Sequence, residues 1–221
     1  MQGSVKLSNP AYSGIKNIVF DYGGVIIDLY MDRTYQAFAN LGVTNLPSLM
    51  GQLKDTHVFY QFEIGALGAE AFINRLLNLL PPHLNYDGET VYKVIAAWNA
   101  MLGEIPKERL ELLTNLKSNY NTFLLSNTNA LHISAVDQYL KSAHGVDSIA
   151  PYFHKVYYSY KVGLRKPNAD IYEHLLKQEN LNPAETLFID DNLPNIEAAN
   201  ALGIVTHHLQ SPKEDVRELF I

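Results

Sequence analysis

The sequence predicts an α/β protein: a parallel sheet covered by helices, with an all-helical segment inserted behind the first strand. Three observations predict it. Short apolar runs recur and each ends in polar residues, as at Asn17-Ile18-Val19-Phe20-Asp21 and Thr186-Leu187-Phe188-Ile189-Asp190. From Ile105 onward, helical patterns alternate with these runs at the spacing of strand–helix units. Between about Asp32 and Glu104, by contrast, no run reads as a strand.

In order along the chain, residues 1 to about 15 read as a loose lead-in, and the first strand then runs into Asp21-Tyr22-Gly23-Gly24. Two adjacent glycines let the backbone turn sharply and approach a ligand closely. Tyr35, Phe38, Ala39 and Leu41 share a helical face, and Pro47 suits a helix start within a helical or mixed stretch reaching Phe62. Phe72, Ile73, Leu76, Leu77 and Leu80 recur at three and four residues, and Pro81-Pro82 stops that helix. Val91 to Met101 is a helix carrying Trp98, the only tryptophan. The helix over Lys107–Leu116 precedes a strand at Asn121–Leu125, and a helix over Ala130–Leu140 precedes an aromatic strand at Lys155–Tyr160. A helix at Ala169–Lys177, a strand at Thr186–Ile189, a helix at Ile196–Leu202, a strand at Gly203–Thr206 and a terminal helix at Lys213–Phe220 complete the pattern.

Composition narrows the chemistry. In 221 residues there is no cysteine, which excludes disulfides and thiolate metal sites. A formal net charge of -6 argues against binding along a nucleic-acid backbone. The polar N-terminus has no signal-peptide core, and no stretch is long and apolar enough to span a bilayer. A cytoplasmic protein, with no nucleic-acid or membrane partner, is expected.

The strands end in a telling set of residues. The first ends in Asp21, the second in Ser126-Asn127, the third leads to Lys166, and the fourth ends in Asp190-Asp191. In a parallel sheet all four points share one rim. Clustered carboxylates raise one another's pKa unless a cation sits among them, and an all-oxygen set suits Mg²⁺. A lysine can offset charge and bind phosphate, while Ser126 and Asn127 can donate to phosphate oxygens. Together this is equipment for phosphoryl transfer through an aspartyl-phosphate. Each piece alone has a plainer reading. Asp21 and Asp190-Asp191 can cap the helices or turns that follow, Lys166-Pro167 can be a surface turn, and Ser126–Asn129 a helix cap. His207-His208, placed after the last strand, reads as an exposed loop pair or a metal ligand pair. The joint order carries the argument.

With these residues in place the chain resembles the haloacid dehalogenase-like (HAD) hydrolase superfamily. Its four motifs are matched by Phe20–Val25, Leu124–Asn127, Arg165-Lys166-Pro167, and Phe188–Asn192 with Asn195. Within it, Leu125–Asn129 with Leu131-His132, Gly163–Pro167 and Asp190–Glu197 are similar to the bacterial sugar-phosphatase branch that includes alpha-glucose-1-phosphate phosphatase. The resemblance implies a Rossmann-like parallel-sheet core over 1–30 and 105–221 and a helical cap domain over 31–104. It implies Asp21 as nucleophile with Lys166 beside it. Mg²⁺ would be held by Asp21, the Gly23 carbonyl and Asp191, with Asp190 behind. Phosphate would be bound by Ser126, Asn127, Lys166 and Gly24. A small phosphorylated metabolite is the expected partner, and a monomer or weak homodimer the expected state.

One position departs from the family. Gly23 stands where most of its phosphatases carry a second Asp, the general acid and base. Such help is typically worth about 10²–10⁴-fold. Its loss is tolerable for a good leaving group such as the hemiacetal oxygen of a sugar 1-phosphate. His132 is a candidate substitute, or a helix histidine that only packs. Three functions compete: a Mg²⁺-dependent phosphatase of a sugar phosphate or related metabolite, a metal-free haloacid dehalogenase, and a binding or regulatory protein that lost the acid. Cap side chains Arg33, Lys54, His57, Glu63 and Arg75 are candidates for selecting the substrate, and Tyr22 and Tyr30 for lining its pocket.

Overall fold

The computed structural model describes residues 5–221 apart from 44, 82, 83, 85 and 86; residues 1–4 of the lead-in and Pro82 of the expected helix stop thus lie outside the described residues. Strands β1 (Asn17–Phe20), β2 (Asn121–Ser126), β3 (Lys155–Tyr158), β4 (Thr186–Asp190) and β5 (Val205–His208) form one sheet in the order β3-β2-β1-β4-β5. Every pairing is parallel, with Phe20 opposite both Leu124 and Ile189.

Burial on both faces explains the near-continuous apolar strands. Ile18, Phe20, Leu124 and Ile189 face one layer, where α6 (Lys107–Leu116) contributes Leu110, Leu113 and Leu116 and α7 (Ala130–His144) contributes Ile133, Val136 and Leu140. The alternate residues Val19, Phe123, Leu125 and Phe188 face the other layer. There α9 (Ala169–Gln178) supplies Ile171, Tyr172 and Leu175, and α10 (Leu193–Ala201) supplies Ile196 and Ala199.

Between β1 and α6 the chain forms α1 (Met31–Asn40), α2 (Leu46–Asp55), α3 (Val58–Glu63), α4 (Ala69–Leu77) and α5 (Gly88–Asn99). These helices bury an apolar cluster of their own around Phe38, Leu53, Phe62, Phe72 and Trp98. Phe62 and Phe72 stack with centroids 4.0 Å apart, and Trp98 meets Phe72 edge-on at 4.8 Å.

Three expectations are corrected. The third strand stops at Tyr158, and Ser159–Val162 forms a single helical turn, α8. There the Ser159 hydroxyl donates toward the Glu63 carbonyl at 2.7 Å and the Thr128 carbonyl at 3.0 Å, and Gly163 at φ +79° ends the turn. The stretch from Lys213 is no α-helix; it holds only a 3-10 turn at Val216–Leu219 behind an Asp215 capping box. Its end pairs instead with the lead-in, through Lys6 N–H to the Ile221 carbonyl at 2.9 Å and Ile221 N–H to the Lys6 carbonyl at 2.8 Å. The described lead-in is therefore tied down. Thirdly, β5 lies two residues later than expected, which draws His207 and His208 into the strand.

Candidate active site

The parallel sheet delivers its four polar strand ends to one rim. Asp21 follows the last residue of β1, and its N–H donates to the Ile189 carbonyl of β4 at 2.8 Å. Lys166 arrives on the loop after α8, where the Lys166–Pro167 peptide bond is cis. The Asn127 side chain fastens that loop from both sides: its amide donates to the Lys166 carbonyl at 2.8 Å and its oxygen accepts the Lys166 N–H at 2.9 Å.

Lys166 is 1% exposed, and its Nζ donates to Asp21 Oδ1 and to Asp190 Oδ2, each at 2.7 Å. It also lies 5.3 Å from the centroid of the Phe188 ring. Asp190 is fully buried and well satisfied. Asn195 donates to its two oxygens at 3.1 and 3.0 Å, and the Asn192 N–H donates at 2.8 Å. The Tyr172 hydroxyl donates to the Asn195 carbonyl at 3.0 Å and steadies that residue in turn.

Charge at the rim is unbalanced. Asp21, Asp190 and Asp191 bring carboxylate oxygens within 4.8 Å of one another, with one ammonium among them. Burial, with the charges of Asp190 and Asp191, pushes Asp21 up to about 7 against the pull of Lys166. Burial and Asp190 also raise Asp191. Gly24, at φ +74°, packs against this cluster so tightly that a Cβ there would lie 2.2 Å from Asp191 Oδ2. A buried, oxygen-only donor set with excess negative charge fits a hard divalent cation. It is the only such group of three among the described residues.

The remaining site candidates fall as follows. Ser126 is buried at the end of β2 and lines the cavity beside the site. The Gly24 N–H donates to the Ile27 carbonyl at 2.8 Å within the turn. At Gly23 a Cβ would lie 2.7 Å from Leu29 Cδ1, so Leu29 fills the space a larger residue would need. His207 and His208 are not an exposed loop pair. His207 bonds Glu214 and Tyr12, each at 3.0 Å, and His208 Nε2 lies 3.0 Å from the Asp191 carbonyl. That support of Asp191 had no sequence signal beyond its neighbour in the pair.

Behind Gly23 and Ser126 a cavity of about 210 Å³ opens between the core and the inserted helices. Of the five charged or histidine candidates, only Glu63 lines it; Arg33, Lys54, His57 and Arg75 are exposed elsewhere. Glu63 Oε2 sits 3.2 Å from Arg165 Nε, directly before Lys166, and burial raises the carboxyl while Arg165 lowers it. Tyr22 lines the cavity, whereas Tyr30 lies outside it with the Arg33 guanidinium 3.8 Å from its ring centroid. His132 is on the wall, edge-on to Trp98 at 5.6 Å, and burial brings its imidazole down to about 4.

This chain is similar to known proteins. A chain 33% identical over 207 residues, covering 94% of this chain and 98% of its own, is the D-ribitol-5-phosphate phosphatase of Bacteroides thetaiotaomicron. A HAD family enzyme of that organism, solved in complex with magnesium and inorganic phosphate, superposes with a TM-score of 0.80 at 31% identity, covering 93% of this chain and 98% of its own. A shorter match, 43% identical over 67 residues and covering 30% of this chain and 34% of its own, is to a sesquiterpene phosphatase of Aspergillus oryzae. None of the three is named for glucose 1-phosphate. The model of the haloacid dehalogenase-like hydrolases matches residues 15–203, and with the rim geometry above it shows that this chain belongs to that family of hydrolases.

Proposed function

We propose that the chain is a Mg²⁺-dependent phosphatase that hydrolyses a small phosphorylated metabolite through an aspartyl-phosphate on Asp21. The observation that carries this is the Asp21–Lys166–Asp190 triad with Asp191 beside it. The relative's complex with magnesium and phosphate supports the cation and the phosphate. Asp21, Asp191 and the Gly23 carbonyl would hold Mg²⁺, with Asp190 behind. When bound, the ion supplies positive charge against the phosphoryl oxygens.

The chain's own groups do the rest. Lys166 pulls the Asp21 pKa down against burial, which favours the carboxylate whose oxygen attacks phosphorus. As that bond forms, the ester P–O bond breaks and its electron pair leaves with the alcohol oxygen, which takes a proton from water. Water then attacks the phosphorus of the aspartyl-phosphate, releasing inorganic phosphate and restoring Asp21. Ser126 and the Lys166 ammonium would hold phosphoryl oxygens, while the Asn127 amide keeps Lys166 in place. The helices over 31–104 would act as a cap, excluding water from the crevice.

With Leu29 filling the space at Gly23, the usual acid has no substitute at that position. His132, low in pKa, is neutral near pH 7. The leaving alcohol therefore departs with little proton help. The sugar-phosphate expectation rests on the resemblance and on the polyol-phosphate relative. Gly23 also favours a second reading, a binding protein that has lost turnover. Phosphate release from a panel of phosphate esters, with Mg²⁺ and with chelator, separates the two. The phosphatase reading predicts release that needs Mg²⁺; no release from any ester favours the binding protein.

A further inference from the structure

We propose that the alcohol carried by the substrate is apolar, an alkyl or alicyclic group of roughly six to ten carbons, since a cavity of about 150 Å³ already holds benzene. This rests on the phosphatase reading above. Gly23, two residues after Asp21, and Ser126 at the end of β2 line the cavity of about 210 Å³, which Asp21 itself does not, so an alcohol leaving phosphorus at Asp21 would pass between these two into it. Its wall is formed by Phe59, Trp98, Leu102 and Ile133. Its lining includes Met31 and Tyr35, which are 48% and 41% exposed and continue the apolar surface outward from Leu29.

The polar side chains on that wall are largely spent. The Thr34 hydroxyl donates to the Ala97 carbonyl at 3.1 Å, and the Asn129 oxygen caps α7 by accepting from Leu131 and His132 N–H. The Asn127 amide holds Lys166, and Glu63 faces Arg165. No lysine or arginine lines the cavity. Tyr22 Oη, Trp98 Nε1 and Glu63 Oε2 lack hydrogen-bond partners among the described residues; the Glu63 oxygen is held by its ion pair with Arg165, and the other two can match one or two oxygens, not a polyol chain. Each hydroxyl buried there without a partner costs about 1–3 kcal/mol in general. An apolar chain meets no such penalty and gains contact along its length.

The test is kcat/KM for phosphate release from n-alkyl phosphates of two to eight carbons, which share one leaving-group chemistry, against ribitol 5-phosphate and glucose 1-phosphate. The inference predicts a rise of about fourfold per added methylene until the cavity is full. It also predicts that Met31→Gln, at the exposed mouth, flattens that rise for the longer chains. A flat series, or polyol and sugar phosphates preferred over hexyl phosphate, overturns the inference and leaves the phosphatase reading standing. Affinities of the matching alkylphosphonates for the Asp21→Asn protein with Mg²⁺ separate the two failures. If no ester releases phosphate yet affinity climbs with chain length, the apolar site stands and the phosphatase reading falls. If affinity is flat, the apolar site falls.

Discussion

Replacing Lys166 by methionine removes the ammonium that bridges Asp21 and Asp190 while nearly conserving volume. Its nitrogen bridges Asp21 and Asp190 at 2.7 Å each, and it is 1% exposed beside an Asp190 side chain that is fully buried. Removing one partner of such a buried pair costs about 3–5 kcal/mol, chiefly because the other charges stay buried and unpaired. With about 2.1 cal/mol/K of unfolding entropy per residue over 221 residues, the melting temperature should fall by about 7–11 °C. The pH dependence has a definite sign. Burial alone would lower Lys166, but Asp21 and Asp190 raise its pKa above the ordinary value. Its contribution is therefore lost at the alkaline end only as pH rises through the raised lysine value, so from about pH 8, where Asp21 is ionised, to about pH 9 wild type keeps it whole. In the variant the freed carboxylates bind protons as pH falls, so the deficit shrinks on acidification. Thermal unfolding of both proteins with chelator at several pH values measures this. A variant within about 1 °C of wild type at pH 8 would refute the reasoning, since that is the range of a neutral surface change.

Three further outcomes are expected. Asn195→Ala removes both hydrogen bonds that its amide donates to Asp190 and should weaken Mg²⁺ half-saturation by about 10–100-fold, the usual range for a residue that orients a ligand; titration of activity or of melting temperature with Mg²⁺ checks it. Gly24→Ala places a Cβ 2.2 Å from Asp191 Oδ2 at φ +74°, costing about 1–2 kcal/mol for the backbone conformation alone besides displacing Asp191; urea unfolding and Mg²⁺ affinity should both suffer. Asp215 is partly desolvated, yet hydrogen bonds from Arg217 and Arg109 hold its carboxyl down at about 2. A depressed carboxylate contributes above its unfolded pKa and loses that contribution as pH falls through the folded one, so wild type should lose stability more steeply than Asp215→Asn from about pH 4 to about pH 2 in acid unfolding.

Much of the core was legible because its signals are local. An apolar run buried on both faces reads as a parallel strand, and parallel strands place Asp21, Ser126, Lys166 and Asp190-Asp191 on one rim whatever the loops do. The inserted helices were legible as helices from their spacing. What escaped depended on contacts distant in sequence. Asn127 faces Lys166 across 39 residues, so nothing local marked its amide as a clamp on the Lys166 loop. Glu63 stood out from Arg33, Lys54, His57 and Arg75 only once the rotation of each helix was known. Leu29 read as a continuing apolar run, not as the side chain that fills the space at Gly23. The terminal stretch has helical spacing, but pairing with residues 6–8 took the backbone groups a helix would have used.

In the proposed reaction phosphorus is transferred to Asp21. The most direct measurement is rapid acid quench during turnover of any ester that the panel shows to be hydrolysed, followed by borohydride reduction and peptide mapping. Reduction converts an aspartyl-phosphate to homoserine. Homoserine at position 21, formed with Mg²⁺ and ester and absent with chelator, is the predicted result. Full phosphate release with no homoserine there, or with homoserine at another aspartate, would contradict it.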